Sequence, residues 1–138
     1  EGISTLDLFG GTGSISYELA SRGAAEMTLV EQDHVTIQFI KKTAKELGIE
    51  DQLRIVRGEV FRFMKQCREQ YDFIFAGPPY ALRQIDDIPL RVFEFGLLKP
   101  GGIFVLEHTP RNDYQRHPHF TRMKNYGTTV FSFFTQPE

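Results

Sequence analysis

Tryptophan is absent, and cysteine occurs once, at Cys67. A single thiol excludes an internal disulfide framework. Its setting, Phe63-Met64-Lys65-Gln66-Cys67, reads as the end of a helix, with the thiol as a small core filler. Excess positive charge is also missing. The formal net charge is −2, which excludes a global electrostatic signal for nucleic acid. A local cluster remains: Arg111, Arg116, Arg122 and Lys124, with His117 and His119 among them. Solvated loop charges are the ordinary reading of such a cluster. No apolar run reaches membrane-spanning length, and no signal peptide is visible, so the cytoplasm is the expected compartment. No cluster of His or Cys suggests a metal. Glu1 stands first with no Met before it.

What is present is one domain's worth of chain, 138 residues, 41% of them apolar. Phenylalanine is abundant, with 13 residues, many in strand-like runs that suit core filling. Ile3 to Phe9 reads as a buried parallel strand ending in glycines. A helix is expected from about Ser14, with Gly23 as its stop. Met27 to Val30 is a second strand closed by Glu31. Ile37, Ile40, Ala44 and Leu47 share a helical face that ends at Gly48. Leu53 to Val56 and Asp72 to Ala76 are further strands, with a short helix from about Val60 to Cys67 between them.

Pro78 and Pro79 forbid helix or ladder. Asp86 or Asp87 then caps a helix with Pro89 in its first turn and Val92, Phe95 and Leu98 on its apolar face. Lys99 to Gly102 reads as a turn, and Ile103 to Leu106 as a fifth strand. Phe120 to Tyr126, a Gly127 turn and Thr129 to Phe134 form an antiparallel hairpin. Strands alternating with helices imply an α/β fold, doubly wound around a mostly parallel sheet.

Four motifs carry chemistry. The first is Asp7-Leu8-Phe9-Gly10-Gly11-Thr12-Gly13. Its glycines allow a sharp turn and close backbone approach, and the helix behind it presents free N–H groups to a carboxylate or phosphate. Asp7 can accept from a ligand ammonium, directly or through water. The second is Glu31, about twenty residues beyond the loop, where a carboxylate accepts both ribose hydroxyls of an adenosine. These two leave S-adenosylmethionine and NAD both open, because Gly11 to Ser16 nearly matches the dinucleotide fingerprint. The third is Gly58-Glu59, a weak signal for an adenine amino group and equally readable as a solvated turn.

The fourth is Gly77-Pro78-Pro79-Tyr80, at the carboxyl edge of the sheet. Proline-bound carbonyls without ladder partners can accept from an exocyclic amine, and Tyr80 offers a face to a flipped base. It favours a methyl donor over NAD. A rigid turn with a packed aromatic is the alternative. His108 reads as structural.

With these residues in place, the chain resembles the class I methyltransferases. More narrowly it resembles the bacterial small-subunit (16S) ribosomal RNA guanine-N2 methyltransferase family. The likeness rests on Asp7 to Gly13, Ser21-Arg22-Gly23-Ala24, Leu29-Val30-Glu31-Gln32-Asp33, Gly77 to Tyr80, Lys99-Pro100-Gly101-Gly102, Glu107-His108 and Tyr126-Gly127-Thr128-Thr129.

The resemblance implies a seven-stranded sheet whose last strand is antiparallel. It implies S-adenosylmethionine as cofactor, surrounded by Asp7, Gly10, Gly11, Thr12, Gly13, Glu31 and Glu59. Phe9 and Gln32, within the same motifs, complete the candidate cofactor-binding set. Gly77, Pro78, Pro79 and Tyr80 would face the target guanine, the partner being ribosomal RNA or the small ribosomal subunit. A monomer is expected. There are two departures. The family pattern places Asp or Asn where Gly77 stands, and losing one such hydrogen bond costs on the order of a hundredfold in rate. A cofactor-binding domain with lost or altered catalysis is therefore an alternative. The family also carries an N-terminal arm that helps hold RNA, which this stretch of sequence is expected to lack.

Overall fold

The structure, a computed structural model, describes residues 2–138, so Glu1 lies outside the described residues. The elements in chain order are β1 (Ser4–Leu8), α1 (Ser14–Ser21), β2 (Glu26–Glu31), α2 (His34–Leu47), β3 (Leu53–Arg57), α3 (Val60–Gln66), β4 (Tyr71–Ala76), α4 (Asp87–Glu94), β5 (Leu98–His108), β6 (Phe120–Tyr126) and β7 (Thr129–Thr135). They build one seven-stranded sheet in the order β3-β2-β1-β4-β5-β7-β6. β1 to β5 run parallel, while β7 is antiparallel to both β5 and β6. The α/β, mostly parallel seven-stranded sheet and the C-terminal hairpin are therefore as expected. An NAD-binding sheet of the usual kind is a parallel six-stranded one, and the inserted antiparallel β7 departs from it.

Alternation along each strand sends side chains to opposite faces, and a core forms on each. Leu6, Leu8, Val30, Ile74, Phe104 and Leu106 pack with Val60 and Met64 of α3 and with Ile88 and Val92 of α4. Met27 and Leu29 pack on the other face with Ile40 and Ala44 of α2. Burying such side chains is worth about 1.5–3 kcal/mol each, so these two layers hold the helices to the sheet.

Local signals fix the helix ends. Asp33 caps α2 by accepting from the Thr36 amide (2.8 Å) and hydroxyl (2.6 Å), which holds its carboxyl below the usual range. Gly23 follows α1 with φ 92°, and Gly48 ends α2 with φ 72°.

Five local expectations need correction. The first strand is shorter than Ile3 to Phe9, because Phe9 turns out of the ladder with φ 64°. Leu47 is exposed at the last turn of α2 rather than part of its buried face. Leu98 belongs to β5 and not to α4, which stops at Glu94. Lys99 to Gly102 is no free turn but a bulged part of β5. Two steps along β4, from Tyr71 to Phe73, match five along β5, from Leu98 to Ile103. The extra residues pair with the C-terminal tail, Gly101 N donating to Gln136 O (2.8 Å) and Gln136 N to Gly102 O (3.1 Å). Asp86 stands at the N-cap of α4, yet its carboxylate accepts from the Tyr114 phenol (2.8 Å) instead of capping.

Candidate active site

In an open parallel sheet, the crevice lies where neighbouring strands lead their connections to opposite sides, at the carboxyl ends. Here that point falls between β1 and β4. A cavity of about 690 Å³ opens there, within the usual range for small-molecule sites. Each strand end supplies part of its wall. Phe9 and Gly11 follow β1; Val30, Glu31 and Gln32 end β2; Gly58, Glu59, Val60 and Phe61 follow β3; Gly77, Pro78 and Pro79 follow β4. Leu82 and Gln84 close the β4 side.

The glycine loop is held by its neighbours. Gly10 N donates to Val30 O (2.9 Å) and Gly13 N to Gly10 O (2.9 Å). A Cβ on Gly10 would collide with the Leu29 side chain, and one on Gly13 would stand 2.7 Å from the Tyr17 ring at a φ of 83°. Gly10 and Gly13 are thus buried packing positions behind the cavity, and Thr12 is exposed with its hydroxyl 2.6 Å from that of Ser14. None of the three lines the wall. Phe9 does, and its left-handed backbone costs about 1–3 kcal/mol for a residue with a side chain.

Glu31 organises the β2 side. Its Oε1 accepts from Gly11 N (3.0 Å), and its Oε2 from Gln32 N (3.0 Å) and Asp33 N (2.9 Å). Each carboxylate oxygen has two lone pairs, so acceptor capacity remains for hydroxyls. Glu59 is the N-cap of α3, accepting from Phe61 N (2.8 Å) and Arg62 N (3.0 Å). It is therefore more than a solvated turn.

Asp7 sits below the cavity floor, 2% exposed, and does not line the wall. Its Oδ2 accepts from the Ser16 hydroxyl (3.3 Å). Burial, opposed in part by that bond and helped by the nearby charge of Glu31, pushes its carboxyl up to about 8. Among the described residues it has no cationic partner.

Tyr80 is separate from the main wall. It is half-exposed, and its phenol donates to Glu107 Oε2 (2.5 Å) with Thr129 Oγ1 at 3.3 Å. Glu107 holds the phenol above its ordinary range. The ring therefore bridges the loop after β4, the end of β5 and the start of β7. Gly77 N donates to Leu8 O (3.3 Å), continuing the β1–β4 ladder one step.

Sequence reasoning missed Phe61, Leu82, Gln84 and the contact of Glu107 with Tyr80. Phe61 carried a signal, two residues past Glu59 at a helix start. The others come together only through the fold. His108 is structural: it is buried, with Nε2 2.7 Å from the Ser132 hydroxyl and Nδ1 2.7 Å from Thr109 O. His119 stacks on Phe93 (4.0 Å between rings). Cys67 caps the end of α3 and packs against the larger core. Among the described residues no group of three His, Cys, Asp or Glu is placed to hold a metal, and no helix is long and apolar enough to cross a membrane.

The family described as "Conserved hypothetical protein 95" matches residues 1–135. The chain belongs to that family. Ribosomal RNA small subunit methyltransferase D of Haemophilus influenzae is 26% identical over 131 residues, 93% of this chain and 68% of that one. Ribosomal RNA large subunit methyltransferase K/L of Shewanella baltica is 34% identical over 122 residues, 80% of this chain and 17% of that one. Against its first curated relatives the chain spans between 39% and 68% of their length. An RNA methyltransferase of Salinibacter ruber, solved with S-adenosyl-L-homocysteine, superposes with a TM-score of 0.72 at 23% identity, over 99% of this chain and 82% of that one. That likeness is one of fold. The fold is that of the class I S-adenosylmethionine-dependent methyltransferases.

Proposed function

We propose that the chain transfers a methyl group from S-adenosylmethionine to the exocyclic N2 of a guanine in small-subunit ribosomal RNA. The observation that carries this reading is the single cavity wall that runs from Glu31 to Gly77-Pro78-Pro79. One end suits an adenosine and the other suits an amine.

The residues fit the cofactor. Glu31 has free lone pairs for ribose hydroxyls. Val60 and Phe61 offer an apolar wall for an adenine ring, with Glu59 beside it. Asp7 is a buried carboxyl without a cation, and an amino group bound near it would supply one and favour its charged form. The bound sulfonium supplies an already activated methyl. The protein's own work is to align the acceptor amine and to receive its proton. Pro78 and Pro79 stiffen the loop that would do the aligning, and Tyr80 gives a base a surface to stack on. Relatives named for both small- and large-subunit RNA support an RNA substrate; the small subunit and the guanine N2 are the narrower part of the reading. The expected partner is ribosomal RNA or the small subunit, met by a cytoplasmic monomer.

Tritium transfer from labelled S-adenosylmethionine into hypomethylated small subunits, with the full-length protein, tests it. Absence of transfer sinks the activity. Gly77 favours a second reading, a cofactor-binding domain with lost or altered catalysis. In that case Gly77→Asp creates activity that the natural chain lacks.

A further inference from the structure

A methylated exocyclic amine has to shed a proton, so a site of this kind needs an acceptor near the end of β4. Glu31 and Glu59 line the cavity, while Asp7, in β1, and Glu107, beside Gly77, stand behind its wall. Both oxygens of Glu31 are engaged by backbone amides of Gly11, Gln32 and Asp33. Both oxygens of Glu59 cap α3. Asp7 is buried under the floor and bonded to Ser16.

Glu107 remains. It is half-buried in β5, one residue past the Ala76–Leu106 pair and beside Gly77. Its Oε2 accepts from the Tyr80 phenol, while its Oε1 has no hydrogen-bond partner among the described residues. That free oxygen lies 3.4 Å from where a Cβ on residue 77 would stand. The Phe75 ring edge bounds the same space at 3.0 Å, and no side chain on residue 77 stands between Glu107 Oε1 and the loop that lines the cavity.

Resting on the methyl-transfer reading above, we propose that Glu107 is the proton acceptor for the target amine, its free Oε1 reaching the site through the gap at Gly77. In the step, the N–C bond forms as the C–S bond breaks and its electron pair stays on sulfur. The proton released by the nitrogen passes to Glu107 Oε1 and then to water. Tyr80 is the positioning residue: its phenol fixes Oε2 and so aims Oε1. Thr129, at the start of β7, holds the phenol from the other side.

The test compares the wild-type chain with Glu107→Gln, Gly77→Asp and the double variant, all in the full-length protein. Glutamine keeps an acceptor for Tyr80 but takes no proton. Glu107→Gln is expected to lower the rate about a hundredfold or more. Its affinity for S-adenosylhomocysteine by calorimetry should stay within about twofold, because no cofactor contact changes. The acid limb of the rate–pH profile should flatten, which a merely structural role would not produce. Adding Gly77→Asp to Glu107→Gln should recover at least about tenfold, since a carboxylate returns to the same space.

A Glu107→Gln rate within about threefold of wild type overturns the proposal. So does a Gly77→Asp single variant that gains about a hundredfold, since the natural acceptor would then be absent. No transfer by the wild-type chain, with cofactor still bound, overturns the methyl-transfer reading itself and Glu107 with it. Because glutamine preserves the Tyr80 contact, melting temperatures of the variants separate lost folding from lost chemistry.

Discussion

At the β1–β3 end of the cavity, all but one of the Glu31 and Glu59 hydrogen bonds join residues within three positions. Glu31 reaches Gly11 across 20 positions and its own neighbours across one and two, while Glu59 reaches Arg62 across three. At the β4–β5 end, Tyr80 reaches Glu107 across 27 positions and Thr129 across 49. The first end is assembled by a strand, a turn and a helix cap, each built from local residue types. The second exists only once β4, β5 and β7 are side by side. A non-local end depends on the whole sheet, so changes there should alter chemistry more than ligand binding.

The largest effect should come from the buried carboxyl of the local end. Asp7 has a folded pKa raised from 3.8 to about 8. The folded state then holds the proton more tightly than the unfolded one. Its stability contribution is intact below about pH 4 and is lost as pH rises through 8. Asp7→Asn should remove that loss. Relative to wild type it should gain about 1.4 kcal/mol per pH unit between pH 4 and 8, reaching about 5–6 kcal/mol above that range. Urea unfolding at pH 5, 7 and 9 measures this. Parallel pH dependence of the two proteins would mean that Asp7 is charged and solvated in the fold.

Next comes Glu31→Ala, which removes the acceptor for ribose hydroxyls and releases Gly11. Affinity for S-adenosylhomocysteine should fall about a hundredfold, near 3 kcal/mol. A loss below about fivefold by calorimetry would move the adenosine elsewhere in the cavity.

Two glycines, one at each end, then offer a direct contrast. Gly10→Ala drives a methyl into Leu29 and should cost about 2 kcal/mol of stability. Gly77→Ala meets the Phe75 ring at 3.0 Å with no positive φ, and should cost under about 1 kcal/mol. Equal losses in chemical denaturation would show that the Phe75 ring yields no more easily than the Leu29 side chain.

The smallest effect should be Tyr80→Phe. Its hydrogen bond to the Glu107 carboxylate is at the surface and should be worth about 0.5 kcal/mol of stability, and cofactor affinity should not change. A marked loss of cofactor affinity would show that the two ends are coupled.

This division also explains what was legible in the sequence. Strand and helix order followed from apolar spacing, and the hairpin from the Gly127 break. The glycine loop and Glu31 could be paired because about twenty residues of one β-α-β unit separate them. Leu98 was misplaced because the three-residue spacing of Val92, Phe95 and Leu98 continues past the end of α4. In space Leu98 instead begins a strand whose bulge is satisfied by Gln136. Leu47 kept the helical period, yet at the last turn of α2 it points past the sheet. Tyr80 was recognised as an aromatic after two prolines, but its partners were not. Nothing in Glu107 or Thr129 as residue types points to a phenol so far away in the chain. Asp7 was named as a ligand contact, and its depth below the floor emerged only from the packing of β1 between β2 and β4.

Phe9 bears a consequence of another kind. It holds the corner of the cavity with a backbone that only glycine adopts at ease. A single change to glycine would recover that energy, yet the ring that walls the cavity would vanish with it. Screens that reward heat resistance and screens that reward ligand capture should therefore pull this position in opposite directions. Phe9 is where the molecule's durability and its usefulness compete.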